Sequence, residues 1–233
     1  MKVLVMGGLG KVGSAIADAL KNTFEVHVLD VSVGSDSLNF DFLHVCIPYT
    51  NDFINNVREA MTRFKVKKVI VHSTVPVGTT KIIGETAAHS PILGQHDDLG
   101  MSIFKFPKWL GVVNPLNTFL FVDHLNSAGF NVKTMANSNA TELCKLLCLS
   151  RYLNDLAFYE NAEKVLNKNK VNPAEFIKWM RGYNEGYAGT RFIRPELSFP
   201  KGKVGGECVL QNSFLLDDEY TKKNLKMFVG EKK

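Results

Sequence analysis

What the sequence holds little of narrows its class first. Cysteine is scarce: Cys46, Cys144, Cys148 and Cys208 are the only four in 233 residues. Without a secretory signal behind Met1-Lys2, such a set reads as free thiols and not as a disulfide framework. Long apolar runs are missing as well. No stretch reaches the roughly 18 to 20 residues needed to cross a bilayer, so no membrane partner is expected and the expected compartment is the cytoplasm. Nucleic-acid recognition motifs are absent, and the basic residues are scattered among acidic ones. A net charge of +5 with a pI near 8.9 therefore suits anionic small molecules and not nucleic acid. Cys144 and Cys148 would share a helix face, yet no histidine or second cysteine pair accompanies them. Core packing is expected of both, and no metal site.

With 45% apolar and 22% charged residues, the chain can bury a substantial core and has room for two domains. Its first half alternates apolar strand-like runs with helical patterns. KVLVM (2–6) is followed by an amphipathic stretch from Val12 to Leu20, then EVHVLD closing at Asp30 and FLHVCIP at Phe42 to Pro48. A helix near Asp52 to Phe64 and a strand KKVIVHS at Lys67 to Ser73 come next. Weaker signals place strands near Ile92, at Leu110 to Val113 and at Asn131 to Met135, with a helix from about Pro115 to Ala128. This alternation predicts an α/β, Rossmann-type, doubly wound parallel sheet. After Asn137 the pattern changes. Residues 140–168 contain no Gly or Pro and carry leucines at helical spacing, which predicts one long helix, apolar nearly all round in its first half and covered on both sides, in part by another subunit. A shorter helix should start at Pro173, and Gly182 to Gly206 should be mostly loop. The expected domains are therefore a Rossmann domain over 1–137 and a mostly helical one over 138–233.

The sharpest local signal is Gly8-Leu9-Gly10-Lys11-Val12-Gly13, where a strand meets a helix. Such a turn needs one glycine for its tightness, one to let the backbone approach a pyrophosphate and one for close helix-strand packing. The helix N-terminus behind it offers N–H groups and positive dipole to phosphates. Asp30 follows 22 residues after Gly8, at the end of the second strand. A carboxylate there can accept hydrogen bonds from ribose hydroxyls and would repel a 2′-phosphate, which favours NAD over NADP.

Ser73-Thr74-Val75-Pro76-Val77-Gly78-Thr79-Thr80 follows the fourth strand, which brings hydroxyls to the carboxyl edge of the sheet, where α/β folds bind ligands. Taken with GLGKVG, VCIP, TELCKL (Thr141 to Leu146) and GGECVLQN (Gly205 to Asn212), this segment resembles the UDP-glucose/GDP-mannose dehydrogenase family from Met1 to about Leu216. The resemblance implies a nicotinamide-binding domain with Gly8, Gly10, Lys11, Val12, Gly13, Asp30, Pro48, Ser73 and Thr74 at the cofactor. It also implies a helical domain whose long helix, 140–168, pairs two subunits as a homodimer. Members oxidise a sugar-nucleotide alcohol to a carboxylate in two hydride transfers. The cysteine of GGxC, here Cys208, attacks the intermediate aldehyde, and the resulting thioester is hydrolysed. Lys145 takes the place of the family's lysine, where a cation stabilises a developing oxyanion; a lysine that snorkels to water fits the same position. Thr74 would stand near the reacting oxygen. For Glu142 a solvated helix surface is expected, and an incidental or buried cysteine remains the alternative for Cys208.

Departures from the family bear on substrate and activity. Gln211 and Asn212 stand where the family has Lys and then Asp, which removes a charge and a base. Leu149 replaces an asparagine. Ser90 to Asp98 stands in place of an acidic segment, with His96 and Asp97 as possible substitutes for a lost base. The chain ends 25 residues after Cys208, so no counterpart of the family's C-terminal domain is expected. Arg181, Arg191 or Arg194 could hold phosphate, although surface solvation is the commoner use. The leading expectation is an NAD-dependent dehydrogenase acting on a CH–OH group of a small molecule, either a sugar nucleotide or a smaller hydroxy compound. Alternatives are a catalytically weakened NAD-binding or regulatory protein, and a 3-hydroxyacid dehydrogenase-like reductase.

Overall fold

A computed structural model describes residues 1–30, 39–94, 99–197, 199 and 207–229, and among these the side chains of all but 207, 208 and 227–229. The chain divides into two compact units, Met1–Lys145 and Leu146–Lys233. The first is built on a seven-stranded sheet: β1 (Lys2–Met6), β2 (Glu25–Leu29), β3 (Phe42–Val45), β4 (Lys68–Val71), β5 (Ala87–His89), β6 (Lys108–Val112) and β7 (Val132–Thr134). Its order is β2-β1-β3-β4-β5-β6-β7. Every neighbouring pair is parallel except β5 and β6.

Alternation along the strands sorts the core onto two faces. Val3 and Val5 of β1, Phe42 of β3 and Ile70 of β4 pack with Ile16 of α1 (Lys11–Leu20) and with Phe121 and Leu125 of α5 (Thr118–Ser127). Leu4, Leu43, Val45, Val69 and Val71 turn the other way, onto Phe53 and Val57 of α2 (Phe53–Arg63) and Ile83 of α3 (Thr79–Ile83). A further short helix, α4 (Leu99–Ser102), belongs to the first face. Both faces are covered, which is why the strands read as apolar runs and not as an apolar-polar alternation. In the sheet order β2 lies on one side of β1 and β3 on the other. The crevice at the carboxyl ends of β1 and β3 is therefore the topological switch point, where ligands of such sheets bind.

The strand expected near Ile92 ends sooner, at His89. Pro91 has no N–H to give a ladder, and the Ser90 carbonyl is taken by Lys108 Nζ at 2.6 Å. The long helix, α6 (Ser138–Lys168), starts two residues earlier than expected, because the Asn137 side chain accepts from Ala140 N at 3.0 Å and caps it. Its buried positions include Glu142, Leu146, Ser150, Leu153 and Ala157, three or four residues apart. Leu143, Cys144, Leu147 and Cys148 fall off that stripe and are exposed. Within the single chain this corrects the expectation of a core role for the two cysteines, and it leaves one side of the helix uncovered by the chain itself.

In the second unit, Leu153 and Leu156 of α6 pack against Val209 of α8 (Glu207–Ser213) and Leu225 of α9 (Glu219–Val229). Tyr159 is 2% exposed and donates to Pro195 O at 2.9 Å. The helix α7 (Pro173–Gly186) starts at Pro173 as its sequence predicts, with Asn172 as cap accepting from Ala174 N at 3.0 Å. It takes in the first five residues of the expected loop, 182–186, since an exposed glycine such as Gly182 costs a helix only about 1 kcal/mol. Neither α8 nor α9 was expected. Among the described residues, no helix is long and apolar enough to cross a membrane.

Candidate functional site

The phosphate turn forms where its glycines allow it. A Cβ on Gly13 would stand 2.0 Å from Gly7 O, and one on Gly8 2.5 Å from Val28 Cγ1 of β2, so both positions seat α1 against the sheet. Gly10 is different, for its Cβ would meet only Gly7 O, at 3.3 Å. Gly7, which sequence reasoning passed over, has φ +79° and would bring a Cβ to 2.8 Å from Cys46 O; the Gly7-Gly8 doublet was its signal. Gly10 is the N-cap of α1, and no side chain caps that helix among the described residues. Among the described residues, the first-turn N–H groups of Lys11, Val12 and Gly13 are thus left without a side-chain acceptor, as an anion site requires. Lys11 is exposed and Val12 half-buried against the core.

Asp30 stands beside this turn. One carboxylate oxygen accepts from Leu9 N at 3.0 Å, which fixes the acid at the end of β2. A cleft of about 430 Å³ opens there, lined by Gly7, Asp30, Ile47, Pro48, Asn56 and Arg63 among others. Glycine turn, uncapped helix, anchored acid and cleft together fit the adenosine and pyrophosphate half of a dinucleotide.

The two motifs 62 residues apart meet on α6. Glu142 is fully buried and accepts from Gly78 N at 2.6 Å, Thr80 N at 2.8 Å and Thr80 Oγ1 at 2.6 Å. It caps α3 across the fold, which corrects the expectation of a solvated glutamate. Burial raises its pKa, while the bonds from Thr80 and Gly78 oppose that rise. His89 adds a second link, with Nδ1 2.9 Å from Thr141 Oγ1 and Nε2 3.2 Å from Ser73 O. Gly111 makes room for this approach, since a Cβ there would stand 2.2 Å from Asn137 O. Ser73 Oγ donates to Ile47 O at 2.6 Å and ties the ends of β3 and β4 together, while Thr74 beside it is half-buried. Lys145 is half-buried on α6 and donates from Nζ to Ile92 O at 2.9 Å. That bond fixes its ammonium against a backbone carbonyl, in place of a side chain snorkelling to water.

Sequence reasoning missed a buried basic group entirely. His44, His72, His124 and Lys108 are each at most 3% exposed and contact one another at 2.9 to 3.1 Å. Their signal was a histidine interrupting each of the apolar runs FLHVC and VIVHS. Among the described residues, no group of three or more His, Cys, Asp or Glu could hold a metal.

Most of the other expected residues belong to the second unit. Arg181 pairs with Glu196 at 2.6 Å, Arg194 lies 3.8 Å over the Tyr183 ring, and Arg191 is exposed. Cys208 is the second residue of α8, and its side chain lies outside the described residues, as do His96, Asp97, Gly205 and Gly206. Gln211 is exposed and Asn212 half-buried on the same helix; Leu149 is half-buried on α6.

No protein-family profile and no curated protein matches this sequence. Solved structures do match its fold. A UDP-D-ManNAc dehydrogenase from Pyrococcus horikoshii superposes with a TM-score of 0.75 at 18% identity, over 98% of this chain and 68% of that one. For a UDP-glucose dehydrogenase from Pyrobaculum islandicum the values are 0.73, 15%, 97% and 67%. A Mycobacterium tuberculosis 3-hydroxyisobutyrate dehydrogenase gives 0.71 at 11% identity, over 97% of this chain and 92% of that one. The first two are nucleotide-sugar dehydrogenases, the group the motif order resembles. At these identities the likeness establishes the Rossmann-type fold alone.

Proposed function

We propose that the chain is an NAD-dependent oxidoreductase that oxidises a CH–OH group of a small molecule, either a sugar nucleotide or a smaller hydroxy compound. The observation that carries this reading is the side-chain-free N-terminus of α1 behind the glycine turn, with Asp30 anchored by Leu9 N–H beside it. When bound, NAD supplies the hydride acceptor. The α1 N–H groups hold its pyrophosphate, and Asp30 takes the ribose hydroxyls and disfavours a 2′-phosphate. Pro48 and Asp30 line the cleft, while Ser73 and Thr74 stand at the carboxyl edge of the sheet. Lys145, held by Ile92 O, stabilises the substrate oxygen as it loses its proton. The role of Cys208 as nucleophile rests on the GGECV resemblance, the homodimer through 140–168 on the resemblance of the long helix, and a cytoplasmic place of action on the lack of a bilayer-spanning apolar run in the sequence.

Two substitutions test the assignment. Asp30→Ala is expected to weaken NAD binding about tenfold, or about 1.4 kcal/mol, read by calorimetry. Cys208→Ser is expected to abolish acid formation in a screen of UDP-sugars, GDP-sugars and hydroxy acids while leaving NAD affinity intact. Equal acid formation by that variant would exclude the thioester route. Gln211, Asn212 and Leu149 favour a second reading, an NAD-binding protein weakened in catalysis, whose mark is NAD binding without turnover across the screen. The extensive overlap with the 3-hydroxyisobutyrate dehydrogenase favours a third, a reductase of small hydroxyacids, whose mark is turnover that survives Cys208→Ser.

A further inference from the structure

Adjacent strands set a line of polar groups on one buried face of the sheet: His44 on β3, His72 just past β4, the Ser90 carbonyl just past β5 and Lys108 on β6. His124 of α5 joins His44 at the far end. The partners dictate where the hydrogens lie. Ser90 O only accepts, so His72 Nδ1–H donates to it at 2.7 Å. His72 Nε2 then accepts from His44 Nδ1–H at 2.9 Å, and His44 Nε2 accepts from His124 Nε2–H at 2.9 Å. His124 Nδ1 is left as a bare lone pair, and it is a buried atom with no partner among the described residues. A hydrogen there would be a buried donor without an acceptor, the costlier arrangement. Three neutral imidazoles thus point one way, toward Ser90.

At the inner end, Lys108 Nζ lies 2.6 Å from Ser90 O, 3.1 Å from Pro91 O and 3.1 Å from His72 Nδ1. Because Nδ1 already carries a hydrogen, the third hydrogen of an ammonium would meet an N–H. An amine fits instead, with two hydrogens on two carbonyls and its lone pair toward His72 Nδ1–H. No carboxylate pairs with Lys108 among the described residues. The titratable groups acting on it or acted on by it are His44, His72, His89, Lys145 and Cys46, and near His124 stand Lys68 and Asp41. Burial pushes the Cys46 thiol up to about 12, so it offers no anion at neutral pH, and burial pushes Lys108 down to about 7.

We propose that Lys108 is a positioning residue whose neutral amine form, oriented by the His124–His44–His72 chain, grips the Ser90 and Pro91 carbonyls and so sets the adjoining Ile92 carbonyl that anchors Lys145. Its link to catalysis rests on the reading of Lys145 above; its charge state and its grip do not.

The test is NMR of the full chain carrying ε-13C lysine, titrated with pH, with Lys108→Met and Lys145→Met assigning the two signals. One signal, missing from Lys108→Met, is expected to titrate about 3 pH units below the ordinary lysine value near 10.4. Titration of every lysine together near that value would overturn the neutral amine. In Lys108→Met, where His72 still serves Ser90 O, the Lys145 signal is expected to shift; an unmoved Lys145 signal in the folded variant would overturn the positioning role. Lys108→Arg, which cannot discharge, is expected to melt at a lower temperature than Lys108→Met, and an equal or higher Tm would contradict the proposal. Should Lys108→Met fail to fold, the wild-type titration against Lys108→Gln decides in the same way. None of these readouts needs NAD or turnover, so their failure and that of the dehydrogenase reading are separately visible.

Discussion

At the scale of single residues, Gly10 and Gly13 share a motif but answer to different forces. A methyl on Gly13 would enter the Gly7 carbonyl, whereas one on Gly10 meets it at 3.3 Å. Gly13→Ala is therefore expected to lose about 3 kcal/mol of stability or more, by the strain of overpacking. Gly10→Ala should melt near the wild type yet bind NAD at least tenfold more weakly, since its methyl crowds the pyrophosphate. Denaturant titration and calorimetry on both variants check the split. Acid sensitivity also belongs to this scale. Burial holds His44, His72, His89 and His124 below the usual histidine value, His89 at about 3 and His124 at about 4. With folded values depressed, the unfolded chain binds more protons from about pH 6.5 downward. The histidines' share of stability is thus complete above that pH and falls by about 1.4 kcal/mol per pH unit for each such histidine as the medium is acidified. Urea denaturation at pH 7, 6 and 5 should show the fall, and equal stability at the three values would contradict it. The glycines and Asp30 were legible in the sequence because their requirement is local, a spacing within one strand-turn-helix-strand unit. The histidines and Lys108 were not, because each is satisfied by strands brought together only by the sheet.

Between elements, the main constraint is the clamp of α6 on α3. Glu142 serves three donors on the segment that follows β4, and a glutamine can present an oxygen to only part of that set. Glu142→Gln is expected to cost about 2 kcal/mol, in the range of hydrogen bonds to a charged group, and Thr80→Val about 1 kcal/mol. Chemical denaturation of the two variants tests this, and wild-type stability in Glu142→Gln would refute the clamp. STVPVGTT and TELCKL were each visible as segments, but their contact was not. The pattern of helix α6 alone could not show that Glu142 sits on its buried stripe, since a glutamate is seldom buried without partners from elsewhere. Likewise β5 was displaced in the sequence reading because Ile92 lies in an apolar run, while Pro91 and the Lys108 bond end the strand before it.

For the whole molecule, the strand order places the switch point at β1 and β3 and with it the glycine turn, so the alternation of strands and helices was enough to point to the candidate site. The second unit was less legible. Its α8 and α9 are short, and what makes them helical is packing against Leu153 and Leu156 in place of a strong pattern of their own. Leu147, Phe158 and Val165 of α6 and Trp179 of α7 are exposed in the single chain. With the homodimer proposed through 140–168, sedimentation equilibrium is expected to give twice 26.0 kDa at micromolar concentration; the mass of one chain would contradict the dimer. The central claim, a dinucleotide held by the α1 turn and Asp30, is met most directly by calorimetric titration of the intact chain with NAD and with NADP. Saturable NAD binding, weaker for NADP and reduced in Asp30→Ala, is the predicted result, and the absence of binding heat with either dinucleotide would contradict it.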